Sequence, residues 1–178
     1  MTPQDLSSLR TDYGRGALDE ALVHRDPIVQ FLQWMEEAVN AGIEEPNAMT
    51  LATATPDGLP SARMVLLKGC DSKGFTFFTN YASRKGRELE ANPHAALVFF
   101  WKEMERQVRV EGMTVRVSAE ESDEYFASRT LDSQASATVS MQSSEIPGRQ
   151  YLEKLLQDFL AGSGPPFARP MQWGGYRL

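Results

Sequence analysis

The chain has 178 residues, with 18 Lys and Arg against 24 Asp and Glu and a formal charge of −6. That length suits one domain with a real core, and the acidic balance argues against a nucleic-acid binder, which normally carries a basic face. Cys70 is the only cysteine, so no intrachain disulfide forms, in keeping with a reducing cytosol, and no apolar run reaches membrane-spanning length.

Residues 1–24 are polar, contain Gly14 and Gly16, and read as a mobile N-terminal arm. From 25 to 178 the chain reads as a single domain. Asp26 is a good N-cap and Pro27 suits the first helical position. Ile28, Phe31, Leu32, Met35, Ala38 and Val39 share one face, so a helix is expected to about Asn40, stopping near Gly42. Met49–Thr55 reads as a strand, Pro56-Asp57-Gly58 as a turn and Ser61–Lys68 as the returning strand. A second turn at Asp71–Gly74 leads into the strand Phe75–Thr79. Ser83–Ala91 reads as a short helix ended by Asn92-Pro93, and Ala95–Trp101 as an apolar strand. Arg106–Val117 reads as one long strand with a bulge at Gly112. Ser118-Ala119-Glu120-Glu121 matches a capping box, which predicts a helix to about Ser128. Leu131–Ser140 reads as another helix, and Glu145 or Pro147 opens one carrying Leu152, Leu155, Leu156, Phe159 and Leu160. Gly162–Pro166 breaks it, and a strand begins at Trp173. Several antiparallel strands with few helices between them imply an α+β, mainly antiparallel barrel with peripheral helices.

The chemistry-bearing stretch is Thr79–Gly86. A helix N-terminus presents unpaired N–H groups and partial positive charge. Ser83 as N-cap, followed by Arg84 and Lys85, makes that end a candidate phosphate site. The bland alternative is a capped surface helix with solvated cations. The strands Arg63–Lys68 and Arg106–Gly112 add cations and a carboxamide, so Arg63, Lys68, Arg84, Lys85 and Gln107 can converge on one anion. Arg63 and Arg109 can equally pair with Glu103, Glu105 or Glu111, and Lys68 can simply be solvated.

Arg63-Met64-Val65-Leu66-Leu67-Lys68, then Phe77-Phe78-Thr79-Asn80-Tyr81-Ala82-Ser83-Arg84-Lys85-Gly86, then Arg106–Gly112, in this order, resemble the pyridoxamine 5′-phosphate oxidase family. The resemblance extends from Arg10–Tyr13 through Asp26-Pro27, Glu45–Met49, Tyr125–Arg129 and Gln142–Ser144 to Trp173–Tyr176. It implies the split β-barrel FMN-binding fold, a cytoplasmic homodimer with flavin sites between subunits, and no metal. It implies that Arg63, Met64, Val65, Leu66, Leu67 and Lys68 line FMN, and that Phe78 and Thr79 contact it. Ser83, Arg84 and Lys85 would hold its phosphate, with Gln107, Gln142 and Ser143 completing the set. Lys68, Tyr125, Arg129 and Ser133 would surround the phosphate of a pyridoxal-type substrate, and Arg10 and Tyr13 would close over it. The alternatives remain open: Gln142 and Ser143 as helix caps, Tyr125 as ordinary packing.

The implied reaction is oxidation of pyridoxine or pyridoxamine 5′-phosphate to pyridoxal 5′-phosphate, with dioxygen reduced to hydrogen peroxide. No catalytic residue is assigned. Two departures are visible. Ala135–Val139 lacks the glycine and tryptophan usual in the family, and the chain ends at Leu178, where family members continue with further flavin and substrate contacts. The expectation is a C-terminally short member. The alternatives are an FMN- or pyridoxal-phosphate-binding protein without efficient turnover, or a split-barrel flavin oxidoreductase with another substrate, such as a phenazine precursor or a quinone.

Overall fold

The computed structural model describes residues 8–10, 12–14 and 18–178, so the expected arm lies partly outside the described residues. In chain order the elements are α1 (Pro27–Asn40), β1 (Ala48–Ala54), β2 (Pro60–Leu66), β3 (Gly69–Asp71), β4 (Gly74–Asn80), α2 (Arg84–Ala91), β5 (His94–Trp101), β6 (Arg106–Met113), β7 (Val115–Arg116), α3 (Ala119–Ser128), α4 (Leu131–Val139), α5 (Arg149–Gly162) and β8 (Trp173–Arg177). Among the described residues no helix is long and apolar enough to cross a membrane.

The chain divides into two compact units. One comprises the described residues up to Pro46 with Phe100–Val108; the other comprises Asn47–Phe99 with Arg109–Leu178. In the first unit, the Asp26 carboxylate accepts the Ile28 N–H at 2.8 Å and so caps α1 as expected. Phe31 is buried on this helix, its ring 6.0 Å from that of Trp101. The Trp101 indole N–H donates to the Pro46 carbonyl at 2.8 Å, which satisfies its one polar atom.

Two four-stranded sheets, in the orders β2-β1-β5-β6 and β3-β4-β8-β7, give the split-barrel arrangement, neither closed on itself. Met49, Leu51, Phe77, Leu97 and Phe99 are fully buried in the second unit's core. On β1 the buried positions alternate, as a half-buried strand requires.

Two expected strands are each divided by a corner. The strand expected over 61–68 ends its first-sheet pairing at Leu66. The Leu67 N–H then reaches the Asn47 carbonyl and the Lys68 N–H the Thr76 carbonyl, so the chain passes from one sheet to the other within two residues. The strand expected over 106–117 breaks at Thr114 rather than bulging at Gly112. The Thr114 N–H and hydroxyl both donate to the Pro93 carbonyl, at 2.8 and 3.1 Å, and β7 continues in the second sheet. Helix α5 begins at Arg149, later than Glu145 or Pro147, and no side chain caps it.

Strand β8 lies between β4 and β7, with Phe78 opposite Gly175 and Arg116 opposite Tyr176. Gly175 is required by packing. A Cβ there would sit 2.6 Å from Val117 Cγ2 and 2.8 Å from Phe78 Cε1. The Leu178 N–H and carbonyl both pair with Phe75.

Candidate functional site

A pocket of about 370 Å³ opens in the second unit. One wall is the β2 end and the corner after it: Met64, Val65, Leu66 and Lys68. Phe78, Thr79 and Asn80 at the end of β4 form the floor. Tyr125 and Arg129 from α3 and its C-cap, Ser136, Ala137 and Ser140 from α4, Gln142 and Trp173 complete the lining. The sheet-to-sheet corner explains this geometry. It lets consecutive residues of one segment follow one sheet and then the other around the same cavity.

Lys85 is the buried cation of this pocket, 8% exposed. Ser83, fully buried, caps α2 by accepting the Gly86 N–H at 3.2 Å, and this turns Lys85 inward. Its ammonium donates to Gln142 Oε1 at 2.8 Å, and the Thr79 hydroxyl donates to the same oxygen at 3.3 Å. Gln142 is neutral, so Lys85 has no carboxylate partner among the described residues. Burial, with the Arg63 charge nearby, lowers its pKa from the usual lysine range to about 8. A buried cation facing a pocket with only an amide partner is set up to receive an anion.

Arg129 is the second cation of the pocket, half-buried. Its guanidinium lies 4.8 Å from the Trp173 ring centroid, and its Nη1 is buried without a hydrogen-bond partner. Burial also lowers its pKa. Arg129 is the C-cap of α3, not a residue of the helix that carries Tyr125, yet both line the pocket. The Gln134 side chain, buried on α4, donates to the Arg129 carbonyl at 2.8 Å and fixes this turn. Trp173, Phe78 and Tyr125 stack nearly parallel, with Phe78 and Tyr125 centroids 4.0 Å apart and Phe78 and Trp173 5.5 Å apart. Such pairs add about 0.5–1.5 kcal/mol each beyond their buried area.

Arg63, expected along the flavin, and Arg84, expected at its phosphate, are both bonded to Glu88. Glu88 on α2, 6% exposed, accepts from the hydroxyls of Thr53 on β1 and Ser61 on β2, at 2.5 and 2.6 Å. It also accepts from Arg63 at 3.2 Å and Arg84 at 2.8 Å. Burial alone would raise the pKa of Glu88, but these four hydrogen bonds outweigh it and hold the pKa at about 2. The Arg63 guanidinium is also bonded to Thr53 and Ser61, so its charge is used inside the protein. Among the described residues Arg84 has only Glu88 as a side-chain partner, and it is otherwise half exposed. The expected surface alternative holds for Arg109, which pairs with Glu111 at 2.8 Å, whereas Arg63 pairs with Glu88 and with none of Glu103, Glu105 or Glu111.

Of the remaining expected residues, Leu67 is a core side chain and Ser143 is exposed with a left-handed φ of +65° in the loop after α4. The Ser133 hydroxyl accepts from Thr130, the α4 cap, at 2.9 Å. Gln107 and Tyr13 line a cleft of the first unit together with Trp34 and Arg106, and Arg10 lies in the same unit. A cleft of about 420 Å³ adjoins the pocket and shares Lys68, Phe78 and Tyr125 with it. Trp173, Asn80, Ser136, Ala137, Ser140 and Glu88 were not foreseen. For Glu88 a signal was present: it lies four residues after Arg84, in reach along one helix face.

A family profile described as pyridoxamine 5′-phosphate oxidase matches residues 35–159. A pyridoxine/pyridoxamine 5′-phosphate oxidase from Cupriavidus necator is 57% identical over 175 residues, which are 97% of this chain and 82% of that relative. The chain belongs to the pyridoxamine 5′-phosphate oxidase family. Among solved structures, PhzG from Burkholderia lata 383, in complex with tetrahydrophenazine-1-carboxylic acid, superposes with a TM-score of 0.84 at 33% identity, covering 91% of this chain and 81% of that one. A pyridoxamine 5′-phosphate oxidase-related, FMN-binding protein from Nostoc punctiforme superposes with a TM-score of 0.70 at 14% identity, covering 88% and 82%, a likeness of fold alone. The family and its named relatives are of the pyridoxine/pyridoxamine phosphate oxidase type, an oxidoreductase family. The family segments quoted from the sequence, Arg63–Lys68, Phe78–Lys85 and Tyr125–Arg129, all contribute residues to one pocket of the second unit.

Proposed function

We propose that this chain binds FMN and oxidises pyridoxine or pyridoxamine 5′-phosphate to pyridoxal 5′-phosphate. The observation that carries the proposal is a single pocket lined by two cations, buried Lys85 and part-buried Arg129, neither with a carboxylate partner among the described residues. Cofactor and substrate each bear a phosphate, and each cation supplies an anchor for one. Lys85, with Arg84 at the same helix start, would hold the cofactor phosphate, with Thr79 and Gln142 beside it. Met64, Val65 and Leu66 would run along the flavin. Arg129 and Lys68 would hold the substrate phosphate, with Tyr125 against the ring. Arg63, Leu67, Ser83, Gln107, Ser133 and Ser143 remain proposed contacts from the family resemblance.

The chemistry FMN supplies when bound is two-electron acceptance from the carbon bearing the alcohol or amine, with dioxygen reduced to hydrogen peroxide. The chain's own part is anchoring and orientation: fixed cations at two points hold the reacting carbon in register. A cytoplasmic location belongs to the same proposal.

The test is pyridoxal 5′-phosphate formation by this chain with FMN, pyridoxine 5′-phosphate and air. Turnover is expected, with hydrogen peroxide formed in equal amount. Arg129→Ala should raise KM for the phosphorylated substrate by about 1.5–3 kcal/mol, roughly tenfold or more. An equal loss on pyridoxine itself would remove Arg129 from the phosphate anchor. FMN binding without turnover would favour a binding protein. The PhzG complex favours a second reading, a tricyclic substrate in place of the pyridine ring. Failure of pyridoxal 5′-phosphate to compete for the site would support it.

A further inference from the structure

Glu88 has no place in the proposed reaction, yet it is the most densely bonded buried carboxylate of the second unit. Four side chains donate to it from three elements: Thr53 on β1, Ser61 and Arg63 on β2, and Arg84 one turn back on α2. Two of the four are Arg63, which sequence resemblance places along the flavin, and Arg84, which it places at the cofactor phosphate. Lys85 directly follows Arg84 in sequence, and the Arg63 guanidinium is close enough to disfavour its protonation. The cluster thus holds three cations and one carboxylate.

We propose that Glu88 is a positioning residue of the anion site: it fixes Arg63 and Arg84 beside Lys85 and sets the cluster's net charge at two positive, matched to a dianionic phosphate monoester. The proposal rests on the FMN-phosphate reading above. Without a fixed acceptor, three neighbouring cations would repel one another, and the two long guanidinium side chains would splay into solvent. Glu88 removes that freedom in advance. Its own orientation is set by the Thr53 and Ser61 hydroxyls, which belong to the sheet and do not move with α2. Arg84 then meets Glu88 through Nε, and among the described residues its terminal amino groups have no protein partner. Those groups are the ones a phosphate would use.

The sign of the effect separates positioning from charge. Glu88→Gln deletes a negative charge next to an anion site. By Coulomb attraction alone this should tighten phosphate binding. Positioning predicts the opposite, because the amide offers a weaker acceptor to both arginines. FMN and riboflavin differ only in the phosphate, so the ratio of their dissociation constants reads the anion site alone. Fluorescence titration of both flavins against wild type, Glu88→Gln and Ser61→Ala, with a thermal midpoint for each, is the experiment. Wild type should prefer FMN at least a hundredfold. Glu88→Gln should lower that preference at least tenfold by weakening FMN and leaving riboflavin unchanged. Ser61→Ala, which keeps the carboxylate but loosens it, should lower it about threefold, and it decides the matter if Glu88→Gln does not fold.

An unchanged or increased preference in the folded variants would overturn the positioning role while leaving the phosphate site standing. Equal weakening of both flavins would show that Glu88 only supports the fold, and would also overturn it. Wild type that binds FMN no better than riboflavin would overturn the phosphate reading and this inference together.

Discussion

Lys85 gives the pocket a pH dependence whose direction follows from its burial. In the ligand-free protein its pKa stands at about 8, below the usual lysine value of 10.5. A phosphate dianion beside it favours the charged form, so the pKa rises on binding. Binding then takes up a proton wherever the free lysine is neutral. FMN affinity should be constant from pH 7 to about 8 and fall above it, by at most tenfold per unit. Lys85→Arg, which stays charged throughout, should remove the decline. Flavin titrations from pH 7 to 9.5 check both, and a flat wild-type profile would place Lys85 away from the phosphate. The capped helix start that carries this residue was legible in the sequence, because Ser before a polar helical run is an N-cap pattern. Its partner Gln142 was legible only through family resemblance, because the two are 57 positions apart and no local pattern joins them. The acceptor of Arg63, Glu88, was not legible for a related reason: two strands and a helix start separate them in the chain.

At the scale of elements, regular periodicity carried the helices and most strand cores, and it failed at the corners. Nothing in Leu66-Leu67-Lys68 or Met113-Thr114-Val115 interrupts the strand pattern. The corner is decided by long-range partners, the Asn47 and Thr76 carbonyls in one case and Pro93 in the other. The first of these corners supplies Leu66 and Lys68 to the pocket wall, so the pocket's shape could not be read from the chain. Strand β8 is a different case: its Gly-Gly segment is buried in the middle of a sheet, because the absence of side chains lets Phe78 and Val117 close over it. Gly175→Ala should therefore destabilise the protein by about 1–3 kcal/mol, by overpacking against two core side chains. Part of that strain would fall on Phe78, at the pocket floor. Denaturant unfolding measures the first effect and FMN affinity the second. A variant as stable as wild type would mean that the β4–β8 packing yields more easily than its distances imply. Glu88 ties elements together in another way. With an unfolded pKa of 4.5 and a folded one of about 2, its stabilisation is present in full above pH 4.5 and is lost as pH falls toward 2. Glu88→Gln should flatten acid destabilisation in that window, which unfolding curves at pH 5, 4 and 3 would reveal.

For the whole molecule, the pocket poses a covering problem. Met64, on its wall, is 63% exposed, and Ser136 and Gln142 are exposed as well. A flat flavin ring held along β2 would leave one face in water, and the catalysis proposed here needs water kept from the reacting carbon. Val115 and Met113, at 62% and 59% exposure on neighbouring strands of the same unit, are further apolar side chains left uncovered. A second copy of the chain is the covering that the family resemblance implies. The chain of 19.9 kDa should then sediment at twice that mass, and flavin should favour the paired form. Met64→Glu places a charge where an apolar contact is expected. It should raise the dimer dissociation constant roughly tenfold or more, since a buried Met contributes about 1.5–3 kcal/mol and a buried unpaired carboxylate costs more. FMN affinity should fall with it and recover at protein concentrations high enough to restore the dimer. Sedimentation equilibrium with and without FMN, on wild type and Met64→Glu, measures both quantities. A monomer that keeps full FMN affinity at nanomolar concentration would show that one chain covers its own flavin, and the dimer would then have no part in the site.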